Sequence, residues 1–315
     1  MPFPYEEFDL SGVRTYPLAS RRSKTRAEDF ARTVAPGGTF KAWFDALPAT
    51  LGARDVRRAV AAMQRAKASG RGIVWGLGAH VVKTGVSTVV IDLMERGYVS
   101  AVAMNGAGII HDFEMALSGG TSEDVDEALG PGRFGMADET GRLLNDAIRA
   151  GADRGLGLGQ AVAEFLGGQK PPFGDRSITA AAHRLGVPLT VHVALGTDII
   201  HMHPAASGAA IGETSLRDFR YLASAVSKLE GGVYLNCGSA VVLPEVFLKA
   251  VAVARNQGAS LDGLTTIDID FLRMYRPQTN VVTRPVSGTG GAGISLVGHH
   301  EILIPLLAAA LIEGA

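Results

Sequence analysis

Six of the eight histidines in this 315-residue chain fall in short segments where glycine sits beside polar side chains: His80, His111, His201, His203, His299 and His300. One segment runs Gly78-Ala79-His80 and on to Lys83; another runs Asn105-Gly106-Ala107-Gly108 and on to His111 and Asp112. A third runs Gly196-Thr197-Asp198 to His201 and His203, a fourth is Asn236-Cys237-Gly238-Ser239, and a fifth is Gly298-His299-His300. Imidazole titrates near neutral pH, so it moves protons, and it is also the commonest protein ligand for metals. His201 and His203 are two apart and point to one side of an extended chain, with Asp198 close by. Asp198, His201, His203 and His111 therefore suit either proton transfer or a divalent metal ion, and spacing alone leaves both open. Cys237 is the single cysteine, which excludes an intramolecular disulfide and a zinc site of several thiolates.

These segments need elements to hold them, and the chain supplies a regular series. Gly72–Leu77, Val99–Met104, Pro188–Ala194, Gly232–Asn236 and Leu264–Asp270 are short apolar runs rich in β-branched residues, and Ile294–Val297 is read as a further strand. Helical patterns lie between them over Thr88–Gly97, Ser122–Gly130, Leu143–Ala150, Leu216–Leu229 and Pro244–Gly258, after an amphipathic stretch at Arg54–Gly70. Buried strands alternating with helices predict an α/β fold: a Rossmann-like, doubly wound, mostly parallel sheet with helices on both faces. Residues 1–50 read as an N-terminal extension and 51–315 as a single domain. Gly167–Asp175, with two prolines and three glycines, is expected to be an exposed excursion. Ligands of such sheets bind beyond the carboxyl ends of the strands, where the histidine and glycine segments fall.

Two glycine loops bear on nucleotides. Gly288–Gly293 matches GxGxxG in form but precedes a strand, and is read as a loop. Asn105-Gly106-Ala107-Gly108 follows a strand and opens a helix, so its backbone N–H groups can approach a phosphate. Asp268 and Asp270 end a strand, where they can meet ribose hydroxyls. Gly155–Gly159 is read as a helix-start turn.

Composition narrows the class. Thirty Lys+Arg balance 31 Asp+Glu, for a net charge of −1, which argues against nucleic-acid binding through a basic footprint. The chain is 47% hydrophobic, ample for a core, yet no apolar run reaches the roughly 18 residues of a membrane span. The start, MPFPYEEFDL, lacks the basic and apolar regions of a signal peptide, and a cytoplasmic protein is expected.

As a set, the motifs resemble deoxyhypusine synthase, in its shorter bacterial deoxyhypusine synthase-like branch, from about Gly72 to Leu307. GLGAHVVKTGV (76–86) is similar to the family's first nucleotide loop, AMNGAGIIHDFE (103–114) to its glycine-rich loop, and ALGTDIIHMHP (194–204) to its TDGS segment. LNCGSAVVLPEVFLKAVAVARNQGA (235–259) and VGHHEILIPLL (297–307) are similar to its GGG-to-helix segment and its terminal strand. The resemblance implies a homotetramer with sites at subunit interfaces, NAD as cofactor, and transfer of an aminobutyl group from a polyamine through a lysine imine. It places cofactor contacts at Gly78, Ala79, Asn105, Gly106, Gly108, Asp198, Gly238, Ser239, Asp268, His299 and His300.

Departures from the family pattern are specific. The stretch that should carry the imine-forming lysine reads TNVVTRPV (279–286), without lysine or tryptophan. Lys83 replaces a serine, while His111, His203 and the pair His299-His300 stand where the family has acidic residues or its NAD-contacting aspartate-alanine. Losing carboxylates weakens the hold on a polycation. The expected activity is an NAD-using transferase or oxidoreductase on an amine or related small molecule, with His111, His203, Asp198 and Lys83 as catalytic groups. A metal-dependent enzyme built on Asp198, His201, His203 and His111, or a non-catalytic binding protein, are the alternatives.

Overall fold

The computed structural model describes residues 3–314. The helices are Phe40–Ala46 (α1), Leu51–Ala68 (α2), Ala79–Lys83 (α3), Ser87–Glu95 (α4), Gly106–Ser118 (α5), Val125–Leu129 (α6), Asp138–Asp153 (α7), Leu158–Gln169 (α8), Ile178–Leu185 (α9), Gly208–Val226 (α10), Val242–Asn256 (α11), Tyr275–Pro277 (α12) and His300–Ile312 (α13). Interleaved with them are six strands: Ile73–Leu77 (β1), Ala101–Asn105 (β2), Leu189–His192 (β3), Val233–Cys237 (β4), Thr265–Asp270 (β5) and Ala292–Val297 (β6). All pair in parallel, in the order β3-β2-β1-β4-β5-β6. This is the doubly wound fold that the alternating runs predict.

Side-chain alternation along each strand builds two cores. Ile73, Trp75 and Leu77 of β1, with Val233, Leu235 and Cys237 of β4, face the core shared with Val56 and Met63 of α2, Leu93 of α4 and Leu307 of α13. Val74, Ala101, Ala103 and Tyr234 face the opposite core under α10 and α11, with Leu222 and Phe247. Phe44 of α1 is buried in the first core. Among the described residues no helix is long and apolar enough to cross a membrane.

Helix limits differ from the sequence reading where capping overrides apolar pattern. The stretch expected over Ser122–Gly130 is helical only over Val125–Leu129, beginning where Asp124 accepts from the Glu127 amide. The excursion expected at 167–175 starts only at Lys170, which takes left-handed backbone, because α8 runs on through Gly167 and Gly168. Gly167 is tolerated there because the His183 ring occupies the place of its missing side chain. Gly155 to Gly159 forms the expected turn into α8, and the GxGxxG segment leads into β6 rather than a helix.

Strand order reverses between β1 and β4, so the connections leave these neighbours in opposite directions and open a crevice at their carboxyl ends. Two glycines make the opening. The Gly78 amide donates to the Cys237 carbonyl (2.8 Å), and a side chain on Gly78 would run into the Gly238 carbonyl. Gly238 itself is left-handed, at φ +68°. Gly78→Ala is expected to destabilise the protein by at least about 2 kcal/mol in urea unfolding, since backbone must move. Gly212→Ala, in an exposed stretch of α10 with nothing near its missing side chain, is expected to stabilise it by about 0.5–1 kcal/mol.

Candidate active site at the carboxyl edge of the sheet

Helix α5 grows directly from β2, its first turn capped by the Asn105 side chain, which accepts from the Gly108 amide (2.8 Å). Ala107, Ile110, His111 and Glu114 follow helical spacing and share one face. That face forms one wall of a cavity of about 600 Å³. The other walls are Thr121–Glu123 and Val125, Phe134–Gly135 and Ala137, and Thr197–Ile199, with Lys83 from the end of α3.

His111, Thr121 and Glu114 form a hydrogen-bonded chain within this wall. Thr121 Oγ1 donates to Glu114 Oε2 (2.5 Å) and lies 2.6 Å from His111 Nδ1. Thr140 Oγ1 donates to the second oxygen, Oε1, at 3.0 Å. Burial works against the Glu114 charge, but the nearby His111 ring and hydrogen bonds from Thr121 and Thr140 hold its carboxyl below the usual range. The consequence for His111 is directional. Thr121 gives its only proton to Glu114, so it offers His111 a lone pair, and His111 Nδ1 carries the hydrogen. The lone pair of neutral His111 is then on Nε2, the arrangement of a proton acceptor steadied by a carboxylate behind it.

Asp198 comes from the segment after β3 and is almost fully buried. Burial pushes its carboxyl up to about 6. The carboxylate lies against Gly106 at the start of α5, where any side chain would collide with it. Its Oδ2 has no hydrogen-bond partner, and the positive end of the α5 dipole is the compensation at hand. His201 stands behind it. His201 Nδ1 accepts from the Gly196 amide (3.1 Å), leaving the proton on Nε2, 4.0 Å from Asp198 Oδ2.

His111, Asp198 and Lys83 are thus brought to one cavity. His203 is not among its lining: its Nε2 is 3.6 Å from Asp138 Oδ1, and its ring fills the space beside Gly141. The alternative metal set does not converge. Among the described residues no three His, Cys, Asp or Glu side chains gather closely enough to hold an ion, because His203 is drawn to Asp138 and His111 to Thr121 and Glu114.

The residues expected to meet a dinucleotide divide into two groups. Asn105, Gly106 and Gly108 belong to the α5 start, with Asp198 across it. Gly78, Ala79, Gly238, Ser239 and His300 gather at the β1/β4 crevice, where His300 packs edge-on to His80 with ring centroids 5.1 Å apart. His300 Nε2 donates to the Ile269 carbonyl (2.9 Å), which leaves buried Nδ1 an acceptor without a partner. His299 is exposed beside Phe271. Asp268 falls outside a ribose site as packed: it is buried and its Oδ1 accepts from Asn236 Nδ2 (2.8 Å).

Sequence reasoning passed over Glu114, Thr121 and Thr140. Glu114 was legible from helical spacing, three residues after His111, whereas Thr121 reaches the site through a loop that no pattern marks. Asp112, adjacent to His111 and singled out in the sequence, turns the other way. It accepts from Ser177 Oγ (2.6 Å) and from the Ile178 (2.8 Å) and Thr179 (2.9 Å) amides, tying α5 to the start of α9. Burial pushes its carboxyl up, and these hydrogen bonds pull it back.

No protein-family model and no curated protein matches the chain. Solved structures match at the level of fold. AgrE, in a ternary complex with ornithine and NAD+, superposes with a TM-score of 0.56 at 16% identity over 86% of this chain and 35% of AgrE. A conserved protein assigned as LOR/SDH, from Methanococcus maripaludis S2, gives 0.52 at 19% identity, over 84% of this chain and 70% of that one. A protein assigned as a deoxyhypusine synthase from Entamoeba histolytica gives 0.51 at 11%, over 88% and 94%. The chain spans about a third of AgrE and of ArgZ, a cyanobacterial arginine dihydrolase (35% and 31%). The resemblance to deoxyhypusine synthase is thus met as a shared fold.

Asp112→Asn sets an NH2 group against one of two backbone donors, the Ile178 or the Thr179 amide. It is expected to lower unfolding free energy by about 2–3 kcal/mol while leaving the affinity of the cavity for its ligands unchanged, measured by urea unfolding and calorimetric titration.

Proposed function

We propose that the chain is an NAD-dependent enzyme that oxidises a small amine of the polyamine or basic amino-acid class, with His111 as proton acceptor. The observation that carries this reading is the His111–Thr121–Glu114 chain set in one cavity with Asp198 and Lys83. The β1/β4 crevice suits the cofactor. Gly78 and Gly238 let the two strand ends meet backbone to backbone before they part, and the buried, unpartnered Nδ1 of His300 beside them is an acceptor for a hydroxyl or amide donor such as ribose or carboxamide carries. Gly78, Ala79, Gly238, Ser239 and His300 would hold it there. When bound, NAD+ accepts a hydride from carbon. AgrE, of the same fold, is the neighbour solved with ornithine and NAD+.

The chain's own residues supply the rest. His111 Nε2 takes the proton that leaves as carbon and nitrogen form a double bond. Glu114, 3.7 Å from the ring, stabilises the imidazolium so formed. The Asp198 and Glu123 carboxylates attract ammonium groups of the substrate. Lys83 attracts a carboxylate where the substrate has one. With no lysine at 279–286, transfer through an imine at that place has no carrier, and oxidation alone is the reaction these residues support.

The test is reduction of NAD+ followed by absorbance with a panel of diamines, spermidine, ornithine and lysine. Turnover with at least one is expected. His111→Ala and Glu114→Gln are expected to lower kcat about 100-fold or more with NAD+ affinity retained. A chain that binds no NAD+ in calorimetry sinks the proposal.

The pH dependence follows from Asp198. With its carboxyl raised to about 6, the charged form that attracts ammonium is present above that pH and lost below it. KM for an amine is therefore expected to rise about tenfold per unit as pH falls below 6, and the Asp198→Asn variant to lose this limb.

A further inference from the structure

At the opposite, amino-terminal edge of the sheet a groove of about 350 Å³ runs between α2 and the first residues of β5 and β6, Thr265 and Ala292. Arg54, Arg58 and Arg65 line it over a floor of Ala61, Ala62 and Ile294. The three arginines fall on one helix face, at intervals of four and seven, and all are exposed. Asp55 pairs with Arg58 (2.9 Å), and Arg54 and Arg65 have no ion-pair partner among the described residues.

The N-terminal arm has the complementary chemistry. Phe3, Tyr5 and Phe8 are 82 to 90% exposed, and Glu6, Glu7 and Asp9 alternate with them. The arm is anchored where Asp29 and Arg32 bond Ala49 and Ala46 through the backbone (2.9 Å each). Ahead of that anchor, residues 3–26 make only local hydrogen bonds, within three residues along the chain. Large apolar groups at that exposure mark a surface that a partner covers. Arg21, Arg22, Lys24 and Arg26 carry the groove's own sign, so residues 3–10 are the part that fits.

We infer that residues 3–10 of one copy of this chain dock in the arginine groove of a second copy, acids against Arg54, Arg58 and Arg65 and aromatic rings on the apolar floor. The docked segment's three exposed aromatics, Phe3, Tyr5 and Phe8, bury roughly 150–250 Å² each when covered. Exchanged between two copies, the arms offer the order of area in a stable interface, about 1,600 Å². The inference is independent of the proposed activity, whose residues lie at the other edge of the sheet.

The test uses the full chain with Glu7→Cys and Arg58→Cys together and a short bismaleimide. Native Cys237 is fully buried, so the background is silent. A linked dimer in a denaturing gel is expected, with neither single variant giving it. A bridge within one chain, or no bridge, overturns the inference. In analytical ultracentrifugation, Arg54→Glu/Arg58→Glu/Arg65→Glu and Glu6→Lys/Glu7→Lys are each expected to weaken self-association about tenfold or more, and together to restore it. Unchanged association in either set, failed restoration with native circular dichroism, or a wild-type chain that stays monomeric at every concentration also overturns it.

Discussion

The parting of two strands at Gly78 and Gly238 sets everything at the carboxyl edge. A parallel sheet aligns its strand ends, and its crossover helices then begin at that edge. With the chain starting at β1 in the centre and reversing at β4, the connections diverge there and nowhere else. The backbones of the two strands touch before they diverge, so Gly78 admits no side chain, while Gly238 takes the left-handed turn that carries β4 away. α3 with Lys83 leaves on one side of this contact. The turn carrying Ser239 leaves on the other.

Buried carboxylates at this end fall into two kinds, and their partners distinguish them. Asp112 accepts three hydrogen bonds around the start of α9. Asp218 of α10 accepts from the Gly159 (2.8 Å) and Val191 (2.7 Å) amides, although burial pushes its carboxyl up to about 7. Both belong to the scaffold. Glu114 accepts only from hydroxyls, one of which passes its influence on to an imidazole. Asp198 and Asp218 each keep one oxygen with no partner, but of the two only Asp198 lines the cavity. A buried oxygen left unsatisfied in a cavity wall is free to meet a ligand, and that difference, more than residue type, separates chemistry from construction.

Much of the architecture was legible. Short apolar runs rich in β-branched residues, such as Gly72–Leu77 and Leu264–Asp270, alternate with helical patterns as strands covered on both faces do, and all six strands lie where the runs placed them. The site was legible in part. Lys83, His111 and Asp198 follow strands, and topology carries them to one cavity. His203 departs from extended-chain geometry because the segment is helical over Ile199–Met202, which turns it toward Asp138. Asp268 lies within β5 rather than beyond it, enclosed beside Asn236. Thr121 was invisible because loop closure in space leaves no periodic mark on sequence.

The two scaffold carboxylates also bear on how the chain reaches this shape. Asp112 joins residues 65 to 67 positions away, and Asp218 reaches back 59 positions to Gly159. Closing loops of that length costs entropy before the bond repays it, and non-local pairing slows folding. The contacts of α8 and α9 with α10 and α5 therefore carry a larger closure cost than the bonds inside each helix. The segment bearing Asp198 follows β3 directly, so one wall of the cavity rests on contacts between parts of the chain that are distant in sequence.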